Sequence, residues 1–132
     1  MARKRIVIVG GVAGGAACAA RLRRLDERAE IFIYERGADI SFANCGLPYY
    51  LGGVISRRQE LLVATAERFR DWFNVEVRVC HEVRRIDRAV RTVEVRNLQT
   101  GVSAVEPYDA LVLAPGADPV RPPLPGIDLP GV

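Results

Sequence analysis

Ile6-Val-Ile-Val-Gly10-Gly11-Val-Ala-Gly14-Gly15 is the stretch that decides the fold of this chain. Arg5 to Val9 is a short, continuous β-branched run that ends on glycine, which reads as a buried parallel strand. Gly14 to Leu25 is rich in alanine and leucine and predicts a helix. Ala13, Ala16, Ala17 and Ala20 recur at helical spacing, so one face of that helix can lie close against a sheet. Glu30 to Tyr34 predicts a second strand, which completes a βαβ unit with a right-handed crossover. Gly10 lets the chain turn tightly, while Gly14 and Gly15 let backbone approach a phosphate and let helix pack on strand. The helix N-terminus then offers free N–H groups and the positive end of its dipole to a pyrophosphate. The strict G-x-G-x-x-G fingerprint places its second glycine at Val12, so the match is imperfect. Glu35 supplies independent support. It closes the second strand, where an acid can accept hydrogen bonds from a ribose diol. The expectation is an α/β, Rossmann-like dinucleotide-binding domain.

Outward from this unit, Glu35 to Val54 reads as a long loop holding Cys45-Gly-Leu-Pro-Tyr-Tyr50 and Gly52-Gly53. Long connections inside a compact domain are usually functional. Thr65 is placed to cap a helix running to about Phe73, with Phe69, Trp72 and Phe73 inward. Val75 to Val79 predicts a third strand. Val83–Asp87, Val90–Val95 and Val102–Val105 alternate between turn residues and predict an antiparallel meander. Asp109 to Ala114 is a final apolar strand, closed by Pro115-Gly116. The meander before the last strand, and Ala114-Pro115-Gly116 after it, favour FAD over NAD, whose simpler domain would continue with βα units. Pro119, Pro122, Pro123, Pro125 and Pro130 then mark an exit linker.

Composition narrows the class. The chain has 132 residues, 49% apolar and 27% charged, which suits one globular domain. Its net charge of +3 is small, rests on arginine with Lys4 as the only lysine, and lacks the aromatic-plus-basic platform of a nucleic-acid binder. The basic start and the following apolar run resemble a secretory signal. Glycines 10, 11, 14 and 15 interrupt that run, and a second strand follows it, so the resemblance is superficial. No segment is long enough to span a bilayer. Cys18, Cys45 and Cys80 are odd in number and lack a CxxC pair, so they suggest neither a disulfide framework nor a zinc site. One histidine, His81, is too few for a metal cluster, and a reducing cytoplasmic setting fits best.

Cys45 is the candidate for chemistry. A thiol near a flavin can pass electrons to a disulfide if its thiolate is accessible and stabilised. An internal dithiol commonly uses CxxxxC spacing, and Tyr50 stands at that second position. Cys45 must therefore cycle through a mixed disulfide with an external thiol or through a sulfenic acid. Cys18, on the first helix, and Cys80, at a strand end, read as packing residues. Two other classes stay open: a stand-alone nucleotide-binding module, and a non-catalytic protein using Cys45 as a thiol sensor.

Three segments together carry a family resemblance: Gly10-Gly-Val-Ala-Gly-Gly-Ala16, Ser41-Phe-Ala-Asn-Cys45-Gly-Leu-Pro-Tyr-Tyr50 and Leu113-Ala-Pro-Gly-Ala117. They resemble the coenzyme A-disulfide reductases. These sit with NADH oxidases and peroxidases in the single-cysteine branch of the pyridine nucleotide-disulfide oxidoreductases. Asparagine before the cysteine is the coenzyme A-disulfide reductase form, whereas the oxidases and peroxidases more often carry serine there.

The resemblance implies a homodimeric, NAD(P)H-dependent flavoprotein with electrons running from NAD(P)H to FAD, to Cys45, and on to a disulfide. Coenzyme A disulfide, persulfide, oxygen and peroxide all remain possible acceptors, and some family members add a rhodanese domain. It implies cofactor contacts from Gly10, Ala13, Gly14, Gly15, Glu35, Arg36, Val83, Ala114, Pro115 and Gly116, with Val83 at the adenine ring. Cys45 would be the redox nucleophile, Ser41 and Asn44 would contact the thiol substrate, and Arg24 and Arg21 would meet coenzyme A phosphates. Arg21 stands where some relatives have glutamine, and Trp72-Phe73 where the family has a basic residue. Residues 1–117 would be the N-terminal part of an incomplete FAD-binding domain, and 118–132 a linker toward an NAD(P)-binding domain. The expectation for these 132 residues alone is no reductase activity, with weak FAD binding or none.

Overall fold

The computed structural model of the chain describes residues 3–130. A parallel sheet forms from β1 (Arg5–Val9), β2 (Glu30–Glu35), β3 (Glu76–Val79) and β7 (Ala110–Leu113), in the order β3-β2-β1-β7. An antiparallel meander, in the order β4-β5-β6, forms from β4 (His81–Asp87), β5 (Thr92–Asn97) and β6 (Ser103–Pro107). The helices are α1 (Gly14–Leu25), a short α2 (Leu47–Leu51) and α3 (Ala66–Phe73).

Strand alternation sorts the core into two layers of contact. Ile6, Ile8, Ile31, Ile33 and Val77 point to one face and pack with Ala16, Ala19 and Phe69 of the helices. Val7 and Tyr34 point to the other and pack with Val93 and Val95 of the meander. The register that aligns them puts Ile8 between Ile33 and Val112. Strands buried on both faces need apolar residues at every position, which is why β1 reads as an unbroken run. Helices, parallel sheet and meander thus make three layers, the α/β fold with an added meander expected above.

Several local expectations change. The packed face of α1 is Gly15, Ala16 and Ala19, whereas Ala13 and Ala17 are exposed. Thr65 caps α3 as expected, its Oγ1 accepting from the Arg68 N–H at 3.3 Å. Phe69 is buried and stacks on Phe73 at 5.3 Å, but Trp72 lies outside with 68% of its surface exposed and the Arg68 guanidinium 5.4 Å from its ring. At about 100° per residue the inner line of the helix runs between Phe69 and Phe73, which puts Trp72 roughly 80° to one side of it. The Glu35–Val54 segment is not wholly loop: a 3-10 turn, Asn44–Gly46, runs into α2. Beyond Leu113 the described backbone forms bends and turns without helix or strand.

Candidate functional site

The glycine turn is a set of close backbone approaches. Gly10 has φ +91°, and a Cβ there would sit 2.0 Å from the Ala114 carbonyl oxygen. A Cβ on Gly15 would lie 1.8 Å from the Gly10 carbonyl oxygen, so α1 can start against β1 only with glycine. Gly14 differs. The nearest atom to its Cβ would be Ala114 Cβ at 3.5 Å, an ordinary contact, so packing within the chain does not require glycine. Its bare backbone faces a cavity instead. No side chain caps α1 and no acid sits in its first turn, which leaves the N-terminal N–H groups available to an anion.

Glu35 is buried and holds the turn from the side. Its Oε2 accepts the Gly11 N–H at 2.7 Å, and its Oε1 accepts the Gly37 N–H at 2.7 Å. A carboxylate has about four lone-pair sites, so two remain for a ligand. Two neighbouring cavities share Glu35, Arg36 and Pro115. The larger, about 500 Å³, reaches Ala13, Gly14, Asn44 and the Ala114–Gly116 segment. The smaller, about 130 Å³, lies among Gly10, Tyr34, His81 and Val83. A further cavity of about 270 Å³, near Arg23 and Glu30, holds none of the predicted site residues.

The cysteine segment is fastened to this turn. Ser41, at φ +49°, donates its N–H to the Gly11 carbonyl at 2.9 Å. Its own carbonyl accepts the Val63 N–H at 2.8 Å, and the Ala43 N–H reaches Leu61 at 2.7 Å. Gly46 is buried against Leu61, whose Cδ2 would be 2.7 Å from an added Cβ. These contacts fix the 3-10 turn with Cys45 exposed and Asn44 on the cavity wall. Pro48 lies in the first turn of α2, where its missing N–H costs nothing.

Of the predicted cofactor residues, all ten therefore line one or both cavities or shape the turn between them. Arg21 and Arg24 stand apart. Both are exposed on α1 and line neither cavity; Ser41 and Cys45 line neither as well, so of the predicted substrate and redox residues Asn44 alone stands on a cavity wall. The neighbouring Arg23 is committed to structure, bonding the Phe73 and Asn74 carbonyls at 2.7 and 2.8 Å. Cys18 and Cys80 are half-buried, and Cys80 takes a left-handed φ of +55° at the β3–β4 junction. Sequence reasoning missed Tyr34 and His81 on the smaller cavity, and Asp118, which accepts from Arg36 at 2.6 Å. Their apolar or isolated sequence settings carry no local signal for a site.

Residues 4–132 match the family model for pyridine nucleotide-disulphide oxidoreductases. The chain belongs to that family. Pyridine nucleotide-disulphide oxidoreductases use FAD and NAD(P)H, and the residues present here fit the adenosine diphosphate end of FAD: Gly14 leaves a cradle that a Cβ would fill. The chain is 48% identical over 117 residues to the coenzyme A disulfide reductase of Staphylococcus epidermidis, an alignment covering 89% of this chain and 27% of that protein. It superposes on reduced Bacillus anthracis CoADR-RHD with a TM-score of 0.91 and 54% identity, over 96% of this chain and 23% of that one. An NAD-dependent persulfide reductase from A. fulgidus gives 0.87 and 36%, over 94% and 23%. The chain thus spans about a quarter of the length of these relatives. No helix among the described residues is long and apolar enough to cross a membrane.

Proposed function

We propose that this chain is the FAD-binding, cysteine-bearing part of an NAD(P)H-dependent reductase of coenzyme A disulfide or a related persulfide. The observation that carries the reading is the Ser41–Gly11 hydrogen bond, which joins the Cys45 segment to the dinucleotide turn. The similarity to a coenzyme A disulfide reductase and a persulfide reductase supports the choice of substrate.

In this reading the first turn of α1 and Gly14 hold the pyrophosphate, Glu35 the ribose, and Val83 the adenine. Arg36 closes the groove, and Ala114–Gly116 carries the chain past the flavin-bearing end. The Cys45 thiolate attacks one sulfur of the substrate disulfide, forming a mixed disulfide and releasing one thiol. Ser41 and Asn44 orient the substrate, and Arg24 and Arg21 meet its phosphates. FAD, when bound, supplies the two electrons that return Cys45 to its thiolate and free the second thiol. Residues 1–117 serve as the N-terminal part of the FAD-binding domain and 118–132 as a linker toward an NAD(P)-binding domain. The complete enzyme is a cytoplasmic homodimer, and these 132 residues alone do not turn over NAD(P)H.

Mass spectrometry of the chain after exposure to coenzyme A disulfide tests this. The expected result is a single adduct on Cys45. No adduct, or equal labelling of Cys18 and Cys80, contradicts the reading.

A further inference from the structure

The two cavities differ in what builds them. The larger one has no residue from the meander. The smaller one has Gly10 and Glu35 on the parallel-sheet side and His81, Glu82 and Val83 of β4 on the other. The placement of the meander therefore bears on the smaller cavity alone.

Apolar contact holds the two sheets together but does not fix their offset, because burial is non-directional. Directional contacts come from two places: the β3–β4 junction, where the Cys80 N–H donates to the Gly37 carbonyl at 2.9 Å and the Cys80 carbonyl accepts the Leu98 N–H at 2.8 Å, and the far strand of the meander, where Glu106 on β6 reaches the parallel sheet. Glu106 Oε2 takes the Arg5 guanidinium of β1 at 2.5 Å, and its Oε1 takes that of Arg78 of β3 at 3.3 Å. Among the described ion pairs, these two alone join the sheets. The Glu106 side chain is only 17% exposed, so the pairing is shielded from water. Arg5 lies 4.1 Å from the Phe32 ring centre, and Arg78 lies 5.8 Å from both Phe32 and Tyr34. Tyr34 connects the charge cluster to the cavity, since it lines the cavity and packs with Val83, Val93 and Val95.

We propose that Glu106 is a positioning residue for adenosine recognition, fixing β4 at the distance from Gly10 that an adenine-bearing ligand requires. This rests on the reading of the paired cavities as the site for the adenosine diphosphate half of FAD. The phosphate cradle at Gly14 does not depend on Glu106, so the two halves of the ligand respond differently to its loss.

The test is NMR titration of the 132-residue chain and its Glu106→Gln variant with ADP and, separately, with inorganic pyrophosphate. Glu106→Asp serves in the same role if the glutamine variant does not fold. The expected result is ADP affinity weakened about fivefold with pyrophosphate affinity unchanged. In the absence of ligand, the Glu82 and Val83 amides shift while the Gly14 and Gly15 amides stay in place. Unchanged ADP affinity, or equal loss for both ligands, overturns the proposal. If the parent chain binds neither ligand, as the weak binding expected of these 132 residues alone allows, both titrations are repeated on the complete enzyme stripped of FAD, and the nucleotide reading falls if that binds neither. The amide shifts then decide Glu106 separately: unmoved Glu82 and Val83 amides overturn its positioning role, and moved ones sustain it.

Discussion

The backbone N–H of Ser41 donates to the carbonyl of Gly11 at 2.9 Å, so the segment that carries Cys45 hangs from the same turn that faces the dinucleotide cavity. Gly11 is held on its other side by Glu35, which takes its N–H. One residue, Gly11, thus links the acid, the glycine turn and the thiol segment. Changes at any of the three should be felt at the others.

The glycines of the turn separate by role. Gly10→Ala meets both a left-handed φ and the Ala114 carbonyl, and should destabilise the chain by roughly 3 kcal/mol. Gly14→Ala has room and starts a helix, so thermal stability should hold or rise slightly. ADP affinity should nevertheless fall by about tenfold, the worth of one charge-assisted hydrogen bond. Paired melting and NMR titration of the two variants checks the contrast.

Glu35→Gln keeps the shape but leaves one amide oxygen for two N–H donors. One buried N–H then faces an NH₂ group. A loss of about 1–3 kcal/mol in denaturant unfolding is expected, together with weaker ADP binding.

Tyr34 is buried, and its hydroxyl has no hydrogen-bond partner of good geometry among the described residues. Burial, followed by the Glu106 charge, pushes its pKa above the usual 10.0, with Arg78 and Arg5 pulling the other way. The folded chain therefore holds the phenol proton more tightly than the unfolded chain does. The resulting stability is complete below pH 10 and declines as pH rises through and beyond 10. Tyr34→Phe should remove that part of the alkaline slope and leave neutral-pH stability within about 1 kcal/mol. Urea unfolding of both proteins at neutral and alkaline pH measures the difference.

The sequence made the β1–α1–β2 unit legible because buried parallel strands need apolar residues on both faces and the turn needs glycine. The meander was legible through its alternation and turns. Helix α2 was not, since Gly46 and Pro48 read as loop residues; buried beside Leu61 and placed in the first turn, they suit a short helix. Trp72 misled because apolar character alone does not fix helical phase on a two-turn helix. Tyr34, His81 and Glu106 come together only when two sheets pack, and no local pattern announces that contact.

The proposed function makes Cys45 and the dinucleotide cavity one redox site. Its most direct test is Cys45→Ser in the complete enzyme, with flavin absorbance and NAD(P)H-dependent reduction of coenzyme A disulfide measured together. Retained flavin with disulfide reduction abolished is the predicted result. Disulfide reduction that persists without the Cys45 thiol would contradict it.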